Sequence, residues 1–470
     1  MPLLTPSGRP LRRAARRPAT DLLPAQRADG LPKVSIAVAA LSTIVEWYDF
    51  TLYLFMATVL SRVVFGGGPD SLLATLAIFA ASYVLRPVGA LLFGRFGDRF
   101  GRRPVLLVSM ALMAGAMLGT ALLPTHAQAG AVAGGAFLAL RCVMAFSVGG
   151  EYPAVSTYLF EGARPERRGL VTALASMASE IGVLLAVAVS AITTTMLDPS
   201  ALDDWGWRIP FAVGALLAVA TLAARTRLGE TPVFAQQQAR GRVHEPVRFI
   251  LRTQRAGLYR TFAISALASI TYYVGVIYVP TYLTSVTGFP VASSLWLSTA
   301  ASVTVIGIAP YAGAISDRIG RRTTLLWLCV LAIVLPVPMF ALMSFTSGAA
   351  ALCGAVVLAC AAGGITAVAA SAAAEQFHPA GRLTGLALGA TAATAVFGGL
   401  APYVATLLTQ LTGWALLPGA LVAAVALAVL PVLARMPETS GPGSPHNDSS
   451  SPPSGPFLIP RVHVGIPDPE

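Results

Sequence analysis

The sequence predicts an all-α integral membrane protein, with twelve transmembrane helices in two pseudo-symmetric six-helix bundles. Three observations carry that prediction. Charged residues make up 11% of the 470 residues and the hydrophobic set 55%, with a mean hydropathy of +0.71, whereas soluble domains carry about 25% charge. The apolar residues fall in runs of helical, membrane-spanning length, and one charged motif recurs six runs apart. Lipid must therefore cover most of the surface, which excludes an ordinary soluble globular enzyme. The formal charge of +11 does not point to nucleic acid, because the basic residues sit in short clusters between apolar runs.

A bilayer core of about 30 Å takes about 20 apolar residues per helix, and these runs are far too long for barrel strands. In order, the first span is 34–60, carrying Glu46 and Asp49; the second is 72–93, with Arg86; the third is 104–123; the fourth is 130–159, with Arg141 and Glu151. The fifth, 169–195, holds Glu180, and the sixth is 208–224. The other half opens with 259–285, rich in tyrosine, and 292–315, with Trp296 near its start; 323–344, 349–374, 383–409 and 413–434 complete the twelve. This divides the chain into a basic tail (1–32), an amino-terminal bundle (33–224), a basic linker (225–257), a carboxyl-terminal bundle (258–436) and a Pro/Ser/Gly-rich tail (437–470) expected to be disordered.

Arginine placement orients the spans. Arg9, Arg12, Arg13, Arg16, Arg17, Arg27 and Lys33 precede the first span, and alternate loops repeat the bias, while the opposite loops carry Arg62 and Arg208 alone. The positive-inside rule puts every cluster, and both termini, on the cytoplasmic side. The Arg-rich, acid-poor start has the charge of a mitochondrial transit peptide but not its serine density.

The four cysteines lie inside apolar segments without ligand spacing and the five histidines in polar connections or tails, so neither a disulfide framework nor a metal site is expected. No HExxH or GxSxG motif in its required context is present. No catalytic residue and no cofactor is expected.

"GRFGDRFGRRP" (Gly94 to Pro104) follows the second span and "GAISDRIGRRT" (Gly313 to Thr323) the eighth. A weaker echo joins "EGARPERRGLVTAL", opening at Glu161, to "EQFHPAGRLTGLAL". A six-helix unit is thus duplicated. Recurrence at equivalent places reads as a latch between helices, giving a cytoplasmic gate of Asp98, Arg99, Arg102, Arg103, Glu161, Asp317, Arg318, Arg321 and Arg322.

An ionisable side chain near mid-membrane costs about 2.5–3.5 kcal/mol on insertion scales, so it faces a cavity or a partner. Glu46 and Asp49 share one helix face, and with Glu180 and Glu151 they are the candidate proton-coupling residues, the alternative being simple pairing with arginine. Arg141, the deeper arginine, is favoured for an anionic substrate, and Arg86 for a pair with Asp49 or Glu46, though its fork also suits a carboxylate. Tyr272, Tyr273 and Trp296 are the candidate substrate contacts of the other half, with an interfacial belt the alternative for Trp296. Gly363, Gly364, Gly398 and Gly399 are among the close-contact glycines, and Pro280, Pro310, Pro336 and Pro402 are expected to interrupt their spans.

"EWYDF" (Glu46 to Phe50), "RPVGALLFGRFGDRFGRRP" (Arg86 to Pro104), "GGEYP" (Gly149 to Pro153), "WGWRIPF" (Trp205 to Phe211), "ETPVF" (Glu230 to Phe234) and "AEQFHPAGRLTG" (Ala374 to Gly385) occur in this order. In this the chain, over about residues 33 to 436, resembles the major facilitator superfamily, and within it the metabolite:proton symporter group. The histidine of "EQFHP" departs from that group's usual basic or hydroxyl-rich turn. The resemblance implies a monomeric secondary transporter of a bacterial inner membrane, importing a small organic acid with protons by alternating access. The alternatives are a proline or betaine carrier and an exporter. Its partners are then substrate, protons and lipid, with no nucleic acid.

Overall fold

A computed structural model of the chain describes residues 33–89, 92–93, 102–149, 167–226, 246–345, 347–377 and 382–440. It forms two compact units, Met1–Ala37 and Val38–Glu470. The described part of the first is the opening of one helix; the second holds the other helices and the site.

Among the described residues the structure is helical, without strands, and the helices align as twelve rods. In the amino-terminal half these are α1 (Lys33–Phe55, continued by Ala57–Val63), α2 (Ser71–Gly89), α3 (Arg102–Ala121), α4 (Ala131–Val148), α5 (Arg168–Met196) and α6 (Arg208–Thr226). The other half has α7 (Arg255–Ile277, continued by Val279–Ser285), α8 (Val291–Ile319), α9 (Arg321–Val334 and Pro336–Met343), α10 (Gly348–Ala374), α11 (Thr384–Thr412) and α12 (Leu417–Ala434). Nine of the described helices are long and apolar enough to cross a membrane alone, and α9 does so as a pair bent by 43°. α1 carries two acidic residues, and the apolar stretch of α3 is the shorter Leu107–Ala121.

The prolines act as their chemistry requires. Pro336 makes the bend in α9, and Pro280 and Pro402 each open a new helical segment just after a π-turn, Tyr273–Ile277 in α7 and Ala395–Gly399 in α11. Pro310 differs from expectation and stays inside a continuous α8.

Other boundaries differ more. Asp317 and Arg318, expected in a loop, occupy the last turn of α8, which ends only at Gly320 with φ of 103°. Arg225, expected in the linker, ends α6 buried, with its Nε donating to Ser42 Oγ at 2.8 Å. The linker also contains the helix Pro246–Thr253. Pro437–Ser440, assigned to the disordered tail, is folded against α9.

The halves meet along α5 and α8, which run antiparallel. At the end bearing the basic motif a Cβ on Gly169 would come within 2.7 Å of the Gly313 carbonyl oxygen, so the backbones touch. At the opposite end Trp296 Nε1 donates to Thr195 Oγ1 at 3.0 Å. α5 also crosses α1 closely, since a Cβ on Gly182 would lie 2.3 Å from the Ile44 oxygen. Arg62 and Asp203 pair through two bonds of 2.9 and 3.1 Å at the opposite end.

Candidate functional site

The centre of the amino-terminal half is built on α1. Glu46 and Asp49 lie three residues apart and are both buried. Asp49 Oδ2 accepts from Arg141 Nη1 of α4 at 3.2 Å, with side-chain exposures of 2% and 5%. Arg86 of α2 faces Glu46 instead, Nη2 to Oε1 at 4.0 Å. The two carboxylates are thus divided between two arginines, and Arg141, favoured for substrate, carries an internal partner.

Each arginine has an aromatic ring on its other side. The Arg141 guanidinium lies 4.6 Å from the Tyr53 ring centroid, and that ring is stacked with Phe79 and Phe137. Arg86 lies 4.3 Å from Phe50 and 4.9 Å from Tyr83. Tyr48, between the two carboxylates in sequence, turns away and donates to the Pro210 carbonyl at 2.7 Å. A charge placed between a carboxylate and a π-face keeps part of the solvation it loses on burial. Neither guanidinium is fully used: Nε of Arg141 and Nε of Arg86 are buried without a hydrogen bond among the described residues.

The other half reaches this centre through adjacent tyrosines. In a regular helix neighbours point about 100° apart, and the π-turn that begins at Tyr273 relaxes that constraint. Tyr272 donates to Glu180 Oε2 of α5 at 2.9 Å, and the Tyr273 and Tyr83 hydroxyls are 2.6 Å apart. Trp47 packs edge-on against Tyr272, centroids 6.1 Å apart, and Phe50 against Tyr273 at 5.9 Å. Glu180 therefore meets a tyrosine where an arginine pair was the alternative.

Trp296 does not join them. It is 46% exposed near the start of α8, where its Nε1 bonds Thr195 and it makes no contact with Tyr272 or Tyr273.

At the basic end, Asp317 accepts from the backbone amides of Gly169 and Leu170, both at 2.9 Å, so a residue of α8 caps the start of α5 across the halves. Arg321 is fully buried; it donates to Asp317 at 2.6 Å, to Ser316 and, at 3.4 Å, to Glu375. Arg318 is exposed, and Arg322 donates to the Ala434 carbonyl at 2.6 Å. Asp98, Arg99, Glu151 and Glu161 lie outside the described residues. Arg102 and Arg103 open α3, with side chains outside the described set. Three members were not read into the gate from the sequence: Glu375, paired with Arg321; Glu438, whose carboxylate accepts from the amides of Arg321, Arg322 and Thr323; and Thr439, which donates to Glu375. An acidic residue four positions past a helix end gives no signal of the helix it will cap. Among the described residues there is no cluster of metal-ligating side chains.

Residues 39–399 match the model of the Major Facilitator Superfamily, and the chain belongs to that family. It is 34% identical over 375 residues to the alpha-ketoglutarate permease of Escherichia coli (strain K12), covering 79% of this chain and 86% of that protein. It is 33% identical to the ectoine/proline transporter ProP of Corynebacterium glutamicum (83% and 81% covered) and 32% to the citrate-proton symporter of Salmonella typhi (82% and 91%). These relatives match the metabolite:proton symporter group that the motifs resemble. Among solved structures, a D-xylose-proton symporter superposes with a TM-score of 0.70 at 19% identity, covering 87% of this chain and 98% of that one, a likeness of fold.

Proposed function

We propose that the protein is a proton-coupled importer of a small organic acid, working by alternating access between halves 33–224 and 258–436. The single observation that supports this best is the buried Asp49–Arg141 pair. A carboxylate substrate competes with Asp49 for the same guanidinium, whose unspent Nε offers it a donor. When Asp49 takes a proton its hold on Arg141 weakens, so proton and carboxylate enter the site together. When the proton leaves, Asp49 reclaims Arg141 and displaces the substrate. Arg86 and Glu46 repeat the arrangement with a looser 4.0 Å contact.

The 4.0 Å contact leaves Arg86 the more available second fork, which suits a di- or tricarboxylate. A zwitterion carrier is the second reading, favoured by the ectoine/proline relative. Against it, the Phe50, Tyr83 and Tyr53 faces that would cage a quaternary ammonium already carry arginine. The basic end, with the Asp317–Arg321–Glu375 network, is the cytoplasmic gate in this reading, and both termini are cytoplasmic in a bacterial inner membrane. The protein works as a monomer, with protons as the coupling ion.

The test is the pH outside liposomes holding purified protein, as 2-oxoglutarate, citrate, shikimate, proline and betaine are added in turn. Alkalinisation with a carboxylate, abolished in Arg141→Ala, is expected. Alkalinisation with betaine alone selects the second reading, and tracer uptake without any pH change sinks proton coupling.

A further inference from the structure

One pair of hydroxyls crosses the seam between the halves, beside an arginine with an unspent donor. Tyr83 of α2 and Tyr273 of α7 bring their oxygens to 2.6 Å. The other buried tyrosines among the described residues spend their hydroxyls differently. Tyr48 and Tyr53 donate to carbonyls of their own half, Tyr278 meets Thr406 and Tyr282 the Phe340 carbonyl within theirs, and Tyr272 donates to the Glu180 carboxyl. At Tyr83 and Tyr273 each half offers a neutral group that can both donate and accept.

Both rings are buried and pinned. Phe50 stands edge-on to each, with centroids 5.1 Å from Tyr83 and 5.9 Å from Tyr273, and Phe79 packs on Tyr83 at 5.1 Å. The π-turn Ala395–Gly399 of α11 presses on them from another side: a Cβ on Gly399 would lie 2.6 Å from the Tyr83 ring, and one on Gly398 would lie 2.9 Å from the Tyr273 ring. The hydroxyls are therefore placed before any substrate arrives. Arg86 lies over the Tyr83 and Phe50 rings, and its Nε is buried without a hydrogen bond among the described residues.

The closed pair satisfies itself, but its members belong to different halves. Parting of the halves separates the two hydroxyls, and water serves both while the site is open. When the halves close on a substrate that water is expelled, and each buried hydroxyl then needs another oxygen.

Within the organic-acid reading above, on which this rests, we propose that Tyr83 and Tyr273 are specificity-determining residues: they bind a keto or hydroxyl oxygen on the carbon next to a carboxylate that Arg86 holds. A keto oxygen has two lone pairs and takes a bond from each tyrosine. A hydroxyl accepts from one and donates to the other. A methylene in the same place leaves both tyrosines without a partner, a larger penalty than a hydrophobic pocket imposes for one missing group.

The experiment measures uptake by full-length protein in liposomes of two matched pairs, 2-oxoglutarate with glutarate and citrate with tricarballylate, in which the second acid lacks only that oxygen. For whichever pair the wild type takes up, the oxygen-bearing member is expected to be preferred about tenfold or more. Tyr83→Phe and Tyr273→Phe keep the rings and should each cut that ratio about threefold or more, and the double variant should bring it near one. Tyr272→Phe is the control, because it slows both members alike and leaves the ratio as in wild type. A wild-type ratio near one, a ratio that survives in the double variant, or an equal fall in Tyr272→Phe overturns the role of Tyr83 and Tyr273. Uptake of none of the four acids overturns the organic-acid reading itself, and this role with it.

Discussion

The amino-terminal half keeps its charge in the middle, and the carboxyl-terminal half keeps its charge at one end. Glu46, Asp49, Arg86, Arg141 and Glu180 all lie within α1, α2, α4 and α5, whereas the charges of α7 to α9 gather near the basic end: Arg255 and Arg260 open α7, Asp317 and Arg318 close α8, and Arg321 and Arg322 open α9. What the second half brings to the centre is hydroxyl: Tyr272 to Glu180 and Tyr273 to Tyr83. A charged centre is expensive to move, because each ion needs a partner at every stage. Neutral hydroxyls separate from their partners at far smaller cost. In the proposed cycle one half holds the charges fixed, and the other makes and breaks contacts with them.

The largest test of that contrast is the Asp49–Arg141 pair. Asp49→Asn should lower stability by about 3 kcal/mol or more and accumulation by about 100-fold, read by thermal melting and tracer uptake. Adding Arg141→Gln should recover part of the lost stability, since the second change removes an uncompensated charge. Full uptake by Asp49→Asn would break the comparison outright. Next comes the seam: Tyr272→Phe leaves a buried carboxyl oxygen of Glu180 unsatisfied, at about 1–3 kcal/mol, and should slow uptake about tenfold. Tyr273→Phe, which loses a neutral pair, should cost about 1 kcal/mol. Equal effects for the two would mean that the Glu180 carboxyl gives its tyrosine partner no special weight.

A smaller effect is expected at the basic end. Burial pushes the Glu375 carboxyl above its ordinary value of 4.5, against the pull of Arg321. A raised acid contributes stability that is complete below pH 4.5 and is lost as pH rises through the higher folded value. Glu375→Gln should therefore flatten the fall in melting temperature over that window by about 2 °C. Trp296→Phe should be mildest, with uptake within about twofold of wild type, because its one bond is at a boundary. A large loss there would return Trp296 to the substrate group.

The fold was legible because the length and spacing of apolar runs follow from bilayer thickness. What the runs do not encode is rotation about the helix axis and relative height, and those decide pairing. Hence Glu46, Asp49, Arg86 and Arg141 were visible as an ionic set, while the division of partners, Asp49 to Arg141 and Glu46 to Arg86, was not. Asp317 looked like a loop residue because charge usually ends a span, yet a capped partner helix lets α8 continue through it. Glu438 sat in a stretch whose composition reads as disorder, and its capping of α9 depends on a fold that composition does not express.

Trp47 gives the seam a built-in light source. The chain has six tryptophans; Trp205, Trp296, Trp327 and Trp414 are strongly exposed and Trp207 is sealed against Phe211, and of the two that reach across the halves, Trp296 and Trp47, Trp47, edge-on to Tyr272, is the shielded one. Lipids with brominated chains should darken exposed indoles within their depth and spare Trp47. The residual emission then reports separation of the halves in real time, with no label attached and no substrate identified.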